Sequence, residues 1–579
     1  MFNKYYQDEL AYLREIGQEF ARAYPDAAHF IGESSRDPDV ERLLEGFAFL
    51  TARVRQKLDD ELPEVTHDLI EMFWPHYLRP VPSMTVVQFE LLPQAAREVR
   101  PFPRGVEVAS VPVDGTVCRF RTAYDTLLVP LKLENAAVRT EAPAQLRLRL
   151  RLPEGVALKK LGLSSLRLHL AGDPAASRGL YLCLCRYLQR VWAQPAGSGA
   201  PAALERAAIQ PLGFSTAEAL LPYPAISLHG FRLLQEYFSF PAKFMFVDVK
   251  NLEGLAALPP APTFDLVFEF SRLPDALPPV TATNVLLNCT PAMNLFRHPA
   301  EPIRVDHERV EYAVRPVSQE SAHYEIYTID KVTGLIKGTG RAQEYRPLLR
   351  FARPPDEDVL FYRQRVDLSV TGGGSDLYVS PLPPSVPGAL PEIETLSLDL
   401  TCTNRQLPSK LQIGDLSALP GAAGTIARAR NVVRPTPSIP APLGGDLHWR
   451  LLSHMAVNYL SLVDLEALRA VLGLYNFRAR VDRQAEQSLR HLLLGIQKVS
   501  ARPSMRLLEG TPVRGISVEV EVDESHFGGE GEVYLFGSLL NEIYAQFVTL
   551  NAFCRLAVKG LKYGEIHEWP TRIGDRIIL

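Results

Sequence analysis

The hydrophobic period of this chain changes twice, and that change limits the folds open to it more than any other feature. Through the first eighty residues, apolar side chains recur every three or four positions. From Met84 they alternate, and after the segment RPTPSIPAP the helical spacing returns. Such a chain is expected to be a multidomain α+β protein. It should have an N-terminal helical unit, a β-rich middle built from antiparallel, sandwich-like sheets, and a mixed α/β C-terminal region. A length of 579 residues exceeds what one hydrophobic core serves, so two to four domains are expected. Proline clusters in PPAP, LPP, PLPPSVP and RPTPSIPAP mark extended connections. The resulting divisions are a helical bundle region at 1–80, β-rich domains at 81–275 and 276–430, and a mixed helix/strand domain at 431–579.

The first helix carries Phe2, Tyr6, Leu10, Leu13, Gly17, Phe20 and Tyr24 along one seam. Pro25 interrupts it. A second helix is expected from Asp37, whose carboxylate suits an N-cap, with Pro38 in the first helical position. Its stripe is Val40, Leu43, Leu44, Phe47, Leu50, Val54 and Leu58. Pro63 breaks this helix, a shorter one carries Val65, Leu69, Ile70 and Phe73, and Pro75 stops that one. Three helices of this size bury little among themselves. The aromatic seam either completes a core within the chain or packs against another chain.

In the middle, Leu146, Leu148, Leu150 and Leu152 alternate with Arg147, Arg149 and Arg151, and Phe264, Leu266, Phe268 and Phe270 alternate with Asp265 and Glu269. The three arginines read as protection of a sheet edge, or as a face for an acidic partner. The aromatic run EYFSFPAKF at 236–244 reads as an exposed loop, in which Phe238 and Phe240 either cap a core or anchor a partner. Farther on, WRLLSHMAVNYLSLVDLEALRAVLGLY reads as helical, with Ser461 or Asp464 interrupting it or starting a turn; Ile516 to Val522 reads as a strand, and a long helix is expected over 532–559. Its stripe is Leu535, Leu539, Ile543, Phe547, Leu550 and Phe553, and GEIHEWPTRIGDRIIL then reads as a hairpin.

The formal net charge of −4 offers no general positive field for nucleic acid or an anionic membrane. Six scattered cysteines fit a reducing compartment better than a disulfide framework. The charged opening MFNKYYQDEL is no secretory signal, and no apolar run has the length of a membrane span, so the expectation is cytoplasmic.

Chemistry-bearing motifs are scarce. GTG at 338–340 and Gly372 to Gly374 lack the Lys and Ser or Thr of a phosphate loop and read as turns. Cys183 and Cys185 share a face if their segment is a strand, but no third and fourth ligand lie near. His448 and His454 are six apart, on opposing faces of a helix. No G-x-S-x-G elbow occurs. The acidic groups LDDELPE and VDESHF would serve glycoside hydrolysis only if Glu61 and Asp523 faced each other across a cleft. No catalytic, cofactor-binding or metal-binding residue is assigned.

Against this background several segments carry a resemblance. YYQDELAYLREIGQEFARAYP, then DPDVERLLEGFAFLTARVRQKLDDELPEVTHDLIEMFWPHYLRPVPSM, resemble the N-terminal signature of the TssF family (also VasA or ImpG) of type VI secretion baseplates. LLQEYFSFPAKFMFVDV, LNCTPAMNLFRHPAEPI, CTNRQLPSKL, HWRLLSHMAVNYLSL and LFGSLLNEIYAQFVTLNAF are similar to family segments in the same order. The resemblance runs nearly end to end.

It implies a structural, non-enzymatic wedge subunit of a cytoplasmic baseplate, docked at the cytoplasmic face of the inner membrane. The implied partners are TssG, a second TssF copy, TssE, TssK and a VgrG spike. On this view Tyr6, Leu10, Leu13, Phe20, Tyr24, Phe47, Phe238 and Phe240 are candidate interface residues. The competing readings are a wedge protein of a contractile phage tail or related particle, a carbohydrate-active enzyme using a carboxylate pair, and a free-standing β-sandwich binding module.

Overall fold

The computed structural model describes all residues except 1–5, 8, 15, 17–37, 60–62, 197–199, 225–228, 307, 319, 337–341, 349–359, 370–373, 383–393, 444–461, 509–510, 550–551 and 575–579. Among these excluded positions fall Phe20, Tyr24, Glu61, His448, His454, the 338–340 turn and Gly372. The chain is a mixed α+β protein and divides into two compact units. One holds Met1–Phe73 with Leu443–Met455, the other Trp74–Pro442 with Ala456–Leu579.

The first unit is helical. Residues 6, 7, 9–14 and 16 hold helical positions, followed by the helices Pro38–Asp59 and Pro63–Phe73. The 63–73 helix opens on Pro63, at a first helical position where a missing N–H costs nothing. Asp39 and Glu41 lie in the first turn of the 38–59 helix, where carboxylates complement the helix dipole.

The second unit is built from sheets. Met84–Leu91 lies between Cys289–Met293 and Ala427–Asn431 in an antiparallel sheet that also takes Glu107–Val113, Thr116–Thr122 and Leu416–Ala418. Val87, Phe89, Val108, Cys118, Phe120, Ala292, Leu416 and Ala429 form its core. A further core gathers Val305, Ile326, Val332, Val379, Leu396, Leu398, Leu400 and Cys402 around the Glu325–Ile336 and Glu394–Thr403 strands.

The Leu/Arg strand, Ala144–Arg151, has the burial alternation its sequence dictates, yet it is not an edge. It sits between Thr263–Phe270 and Lys132–Arg139. The expectation of edge protection is therefore corrected, because the arginines meet carboxylates of the neighbouring strands. Arg149 makes a two-pronged bond to the buried Asp265, Nε to Oδ1 at 2.9 Å and Nη2 to Oδ2 at 3.2 Å. Arg147 lies 3.6 Å from the same carboxylate, and Arg151 pairs with Glu134 at 2.6 Å. The acidic partner of this face belongs to the same chain.

Three further expectations are corrected. Cys183 and Cys185 lie in no strand: the helix Pro174–Leu182 continues into a wide turn, Cys183–Tyr187. The 174–182 helix packs tightly on the Glu530–Gln546 helix, where a Cβ on Gly531 would fall 2.4 Å from the Arg178 carbonyl oxygen. The long C-terminal helix ends at Gln546, and Ala552–Gly560 is a strand parallel to Thr511–Val522. Phe553, buried, lies over Gly515, which has no room for a side chain. The segments Ile566–Glu568 and Arg572–Ile573 both pair with 552–560, so the expected hairpin is two additions to one strand.

Several histidines are buried in this unit. His169 stacks on Phe246 at 4.3 Å, its Nδ1 bonds the Met245 carbonyl at 3.1 Å, and its Nε2 has no partner. Burial pushes its pKa down to about 4. The unfolded chain therefore takes up a proton near pH 6.5 that the folded chain refuses until about 4, so stability falls as pH drops through this window. Between pH 7 and 4 this one site should cost roughly 2–3 kcal/mol. His169→Gln should flatten the acid limb of a denaturant-midpoint profile by that amount, and an unchanged limb would contradict the assignment.

Candidate protein-interaction surface

The seam of the first helix is partly inward. Leu10 is buried, while Tyr6 and Leu13 are half-buried. Arg14 ties this helix to the 38–59 helix through Glu41 at 3.2 Å. The 38–59 helix itself presents an unexpected face. Its tightly buried positions are the small residues Ala48 and Ala52, which permit close packing. The large apolar residues point the other way: Leu43 is 74% exposed, Phe47 60%, Leu50 61% and Val54 59%. Spacings of four, three and four place them on one stripe along the helix. Tyr12 and Ile16 of the first helix are exposed as well. Exposed leucine or phenylalanine is unremarkable singly, but an ordered outward stripe of four is the kind of surface from which interaction sites are built.

Phe238 and Phe240 belong to a different setting. The segment expected as an exposed loop is the helix His229–Ser239 followed by the turn Pro241–Phe244, and most of it is buried. Phe240 is interior. Phe238 is half-buried and lines a cleft of about 590 Å³ with Arg178, Tyr237, His491, His526 and Glu532. Arg178 and Glu532 pair there at 2.8 Å, so these charges are matched internally.

Buried ionic contacts fix this segment in place. Glu236 and Lys243, both fully buried, form a contact ion pair, and Arg232 Nε lies 3.8 Å from the same carboxylate. The other Glu236 oxygen accepts the backbone N–H of Leu220 at 2.8 Å and of Leu221 at 2.9 Å. Burial works against the charge on Glu236, but Lys243 and Arg232 outweigh it and hold the carboxyl below its ordinary range. Burial lowers Lys243 to about 8, against the opposing pull of Glu236. The segment's charged residues thus clamp the preceding loop, and none faces solvent.

Sequence reasoning missed one polar cluster. Arg272 bridges Glu530 and Glu565, and the Tyr187 hydroxyl bonds Glu530 and lies 3.2 Å from Glu565. Burial and the neighbouring Glu565 raise Glu530 to about 7, while Arg272, Glu530 and Tyr187 hold Glu565 low against its own burial. With His567 the two carboxylates have the spacing of a metal-binding trio. The Arg272 guanidinium already supplies the cation there. Four residues separated by up to 378 positions leave no local motif to find. Asp523, named from sequence in a possible carboxylate pair, instead accepts the Ser525 N–H at 3.0 Å and caps the short turn Glu524–His526.

With this geometry in hand, similarity to known proteins can be placed. The family described as "Type VI secretion system, TssF" matches residues 1–576. The type VI secretion system component TssF1 of Pseudomonas aeruginosa strain PAO1 is 31% identical over 621 residues, covering 99% of this chain and 98% of that protein. A chain of the TssK-TssF-TssG baseplate subcomplex solved by cryo-electron microscopy aligns with a TM-score of 0.78 and 32% identity, over 93% of this chain and 99% of its own. A chain of a type VI secretion baseplate complex aligns over 100% of both chains, with a TM-score of 0.69 and 29% identity.

Removing one member of the buried ion pair should be expensive. Lys243→Met leaves Glu236 short of its contact partner and should cost about 3–5 kcal/mol in denaturant unfolding. An unaltered midpoint would show that the pair does not hold the 212–221 loop.

Proposed function

The chain belongs to the TssF family of the type VI secretion system, and on that premise we propose that it works as a scaffolding wedge subunit whose exposed helical stripe is completed by other subunits. It is a structural baseplate component. TssK and TssG, which stand beside TssF in the name of a related complex, are its first expected partners. A second copy of the chain, TssE and a VgrG spike complete the proposed set. The working location is the cytoplasm, at the inner-membrane face when the baseplate is docked. Among the described residues no helix is long and apolar enough to cross a membrane.

The observation that carries this reading is the stripe Leu43, Phe47, Leu50 and Val54, apolar and outward on a helix whose inward face is alanine. Tyr6, Leu10, Leu13, Phe20 and Tyr24 are proposed to shape the same surface, with Leu10 acting from beneath. Phe238 and Phe240 are proposed to support it only indirectly, by keeping their own segment folded. A catalytic role is left out of the proposal, supported by the commitment of Glu236, Glu530, Glu565 and Asp523 to internal partners. A baseplate must hold and then release a metastable sheath, which requires interfaces with two arrangements of similar free energy.

Because the stripe is outward, changing it should separate assembly from folding. Phe47→Asp with Leu50→Asp should abolish co-purification with co-expressed TssG while leaving the thermal midpoint within a few degrees. Leu10→Asp, at a buried site, should instead destabilise the chain by more than about 2 kcal/mol. Normal complex formation by the Phe47/Leu50 variant would remove the basis of the proposal.

A further inference from the structure

The arginine-bearing face of the sheet that holds the Leu/Arg strand is arranged in rows set by strand register. Lys132 stands opposite Arg151. The next rows are Asn135, Arg149, Asp265 and Gln194, then Ala137, Arg147, Val267 and Trp192, then Arg139, Gln145, Glu269 and Arg190. Opposed residues of an antiparallel pair share a face, and so do residues two apart on one strand, so these side chains lie on one side of the sheet. Six of them are cations, and only Asp265 and Glu269 are carboxylates. Glu134, beside Lys132, and Glu141, in the turn, add two more by pairing with Arg151 at 2.6 Å and Arg139 at 2.7 Å. The chain's own carboxylates thus meet only part of this charge, and a surplus of two cations remains on a protein whose net charge is −4.

These cations are held in place. Asp265, its side chain 2% exposed, takes Arg149 by two prongs and lies 3.6 Å from Arg147, so one buried carboxylate fixes two neighbouring guanidinium groups. A guanidinium has more N–H donors than one carboxylate can accept, and the two side chains stay 46% and 44% exposed, Arg147 and Arg149 in that order. Their remaining donors are already oriented, which lowers the ordering cost of binding an anion. Lys132 directly opposes Arg151, and Glu134 offsets only one of the two charges. Lys132 and Arg190 have no ion pair among the described residues.

We propose that this face is a second docking surface, which receives an acidic segment of another subunit: carboxylates of that segment meet Lys132, Arg147, Arg149 and Arg190, and an apolar side chain rests on the half-buried Trp192. Arginine and tryptophan are residue types on which protein interfaces concentrate their binding energy. Charge selects the occupant. A nucleic acid held through on the order of six to ten phosphates needs a longer array of cations than a surplus of two. Two surplus charges and one half-buried indole make only a weak anchor on a lipid surface. A second copy would set the same surplus against itself, and like charges directly opposed are unfavourable.

This inference rests on the assembly reading above only in taking the partner from the same complex, and the two can fail separately. The full chain, with a photo-crosslinking phenylalanine in place of the exposed Ala137, is co-expressed with TssG and TssK, and complex formation is followed by sizing. The expected result is a crosslink to a peptide of TssG or TssK that carries aspartate or glutamate. Lys132→Glu with Arg190→Glu leaves the Asp265 pairs intact and should lower the yield about tenfold, as should rising salt. Lys132→Gln with Arg190→Gln, which only removes charge, should give a smaller fall in the same direction and decides the matter if the reversed variant misfolds. Four outcomes would overturn the proposal: an intact complex with no crosslink at 137, a crosslink to a second copy of this chain, a crosslinked peptide without a carboxylate, or a yield indifferent to charge and salt. Loss of the complex itself in the parent chain would instead count against the assembly reading.

Discussion

A carboxylate taken out of water must be given its counter-charge, and the large unit is organised around that demand. Glu236 meets Lys243 and Arg232 and, through its second oxygen, two backbone amides of the 212–221 loop. The Lys243 carbonyl in turn accepts the Tyr124 hydroxyl at 3.0 Å, which brings in the strand region near 122. Asp265 with Arg149, and Asp248 with Arg167 at 2.8 Å, repeat the arrangement across neighbouring strands. Such pairs add little net free energy compared with apolar packing, but they are costly to break on one side, so they fix which segments meet. Segments as much as 119 residues apart are thereby held together.

The small helical unit follows the opposite logic. Along its 38–59 helix the tightly buried positions are Ala48 and Ala52, and Leu43, Phe47, Leu50 and Val54 are turned to solvent. A chain selected to be a self-contained monomer would gain by reversing that pattern, because each buried leucine or phenylalanine contributes roughly 1.5–3 kcal/mol. The arrangement makes sense when the apolar surface is covered by association, so that stability of the helices and formation of the complex become one equilibrium.

Much of this was legible in the residues, and the failures have identifiable causes. The 146–152 alternation announces a half-buried strand because the period of two is a local property. That Arg149 finds Asp265 is not local, since 116 positions separate them. The stripe at 43, 47, 50 and 54 is plain in the sequence, but periodicity says only that four side chains share a face, not whether that face looks inward or out. A helix over 532–559 overreaches, because Phe553 keeps helical spacing by coincidence while the alternation from Ala552 onward belongs to a strand. The Arg272, Glu530, Glu565 and Tyr187 cluster had no signal at all: each residue is ordinary in its own neighbourhood, and only the tertiary fold makes them a group.

The parallel pairing of Thr511–Val522 with Ala552–Gly560 also has a consequence for biosynthesis. Translation delivers the 496–522 hairpin first and its inner neighbour only after the intervening 530–546 helix has been made. Until then the nascent chain displays a long strand with one unsatisfied side, rich in valine, while still tethered to the ribosome. That interval is when this region is most exposed to mispairing, and it gives holdase chaperones a defined window in which to shield it.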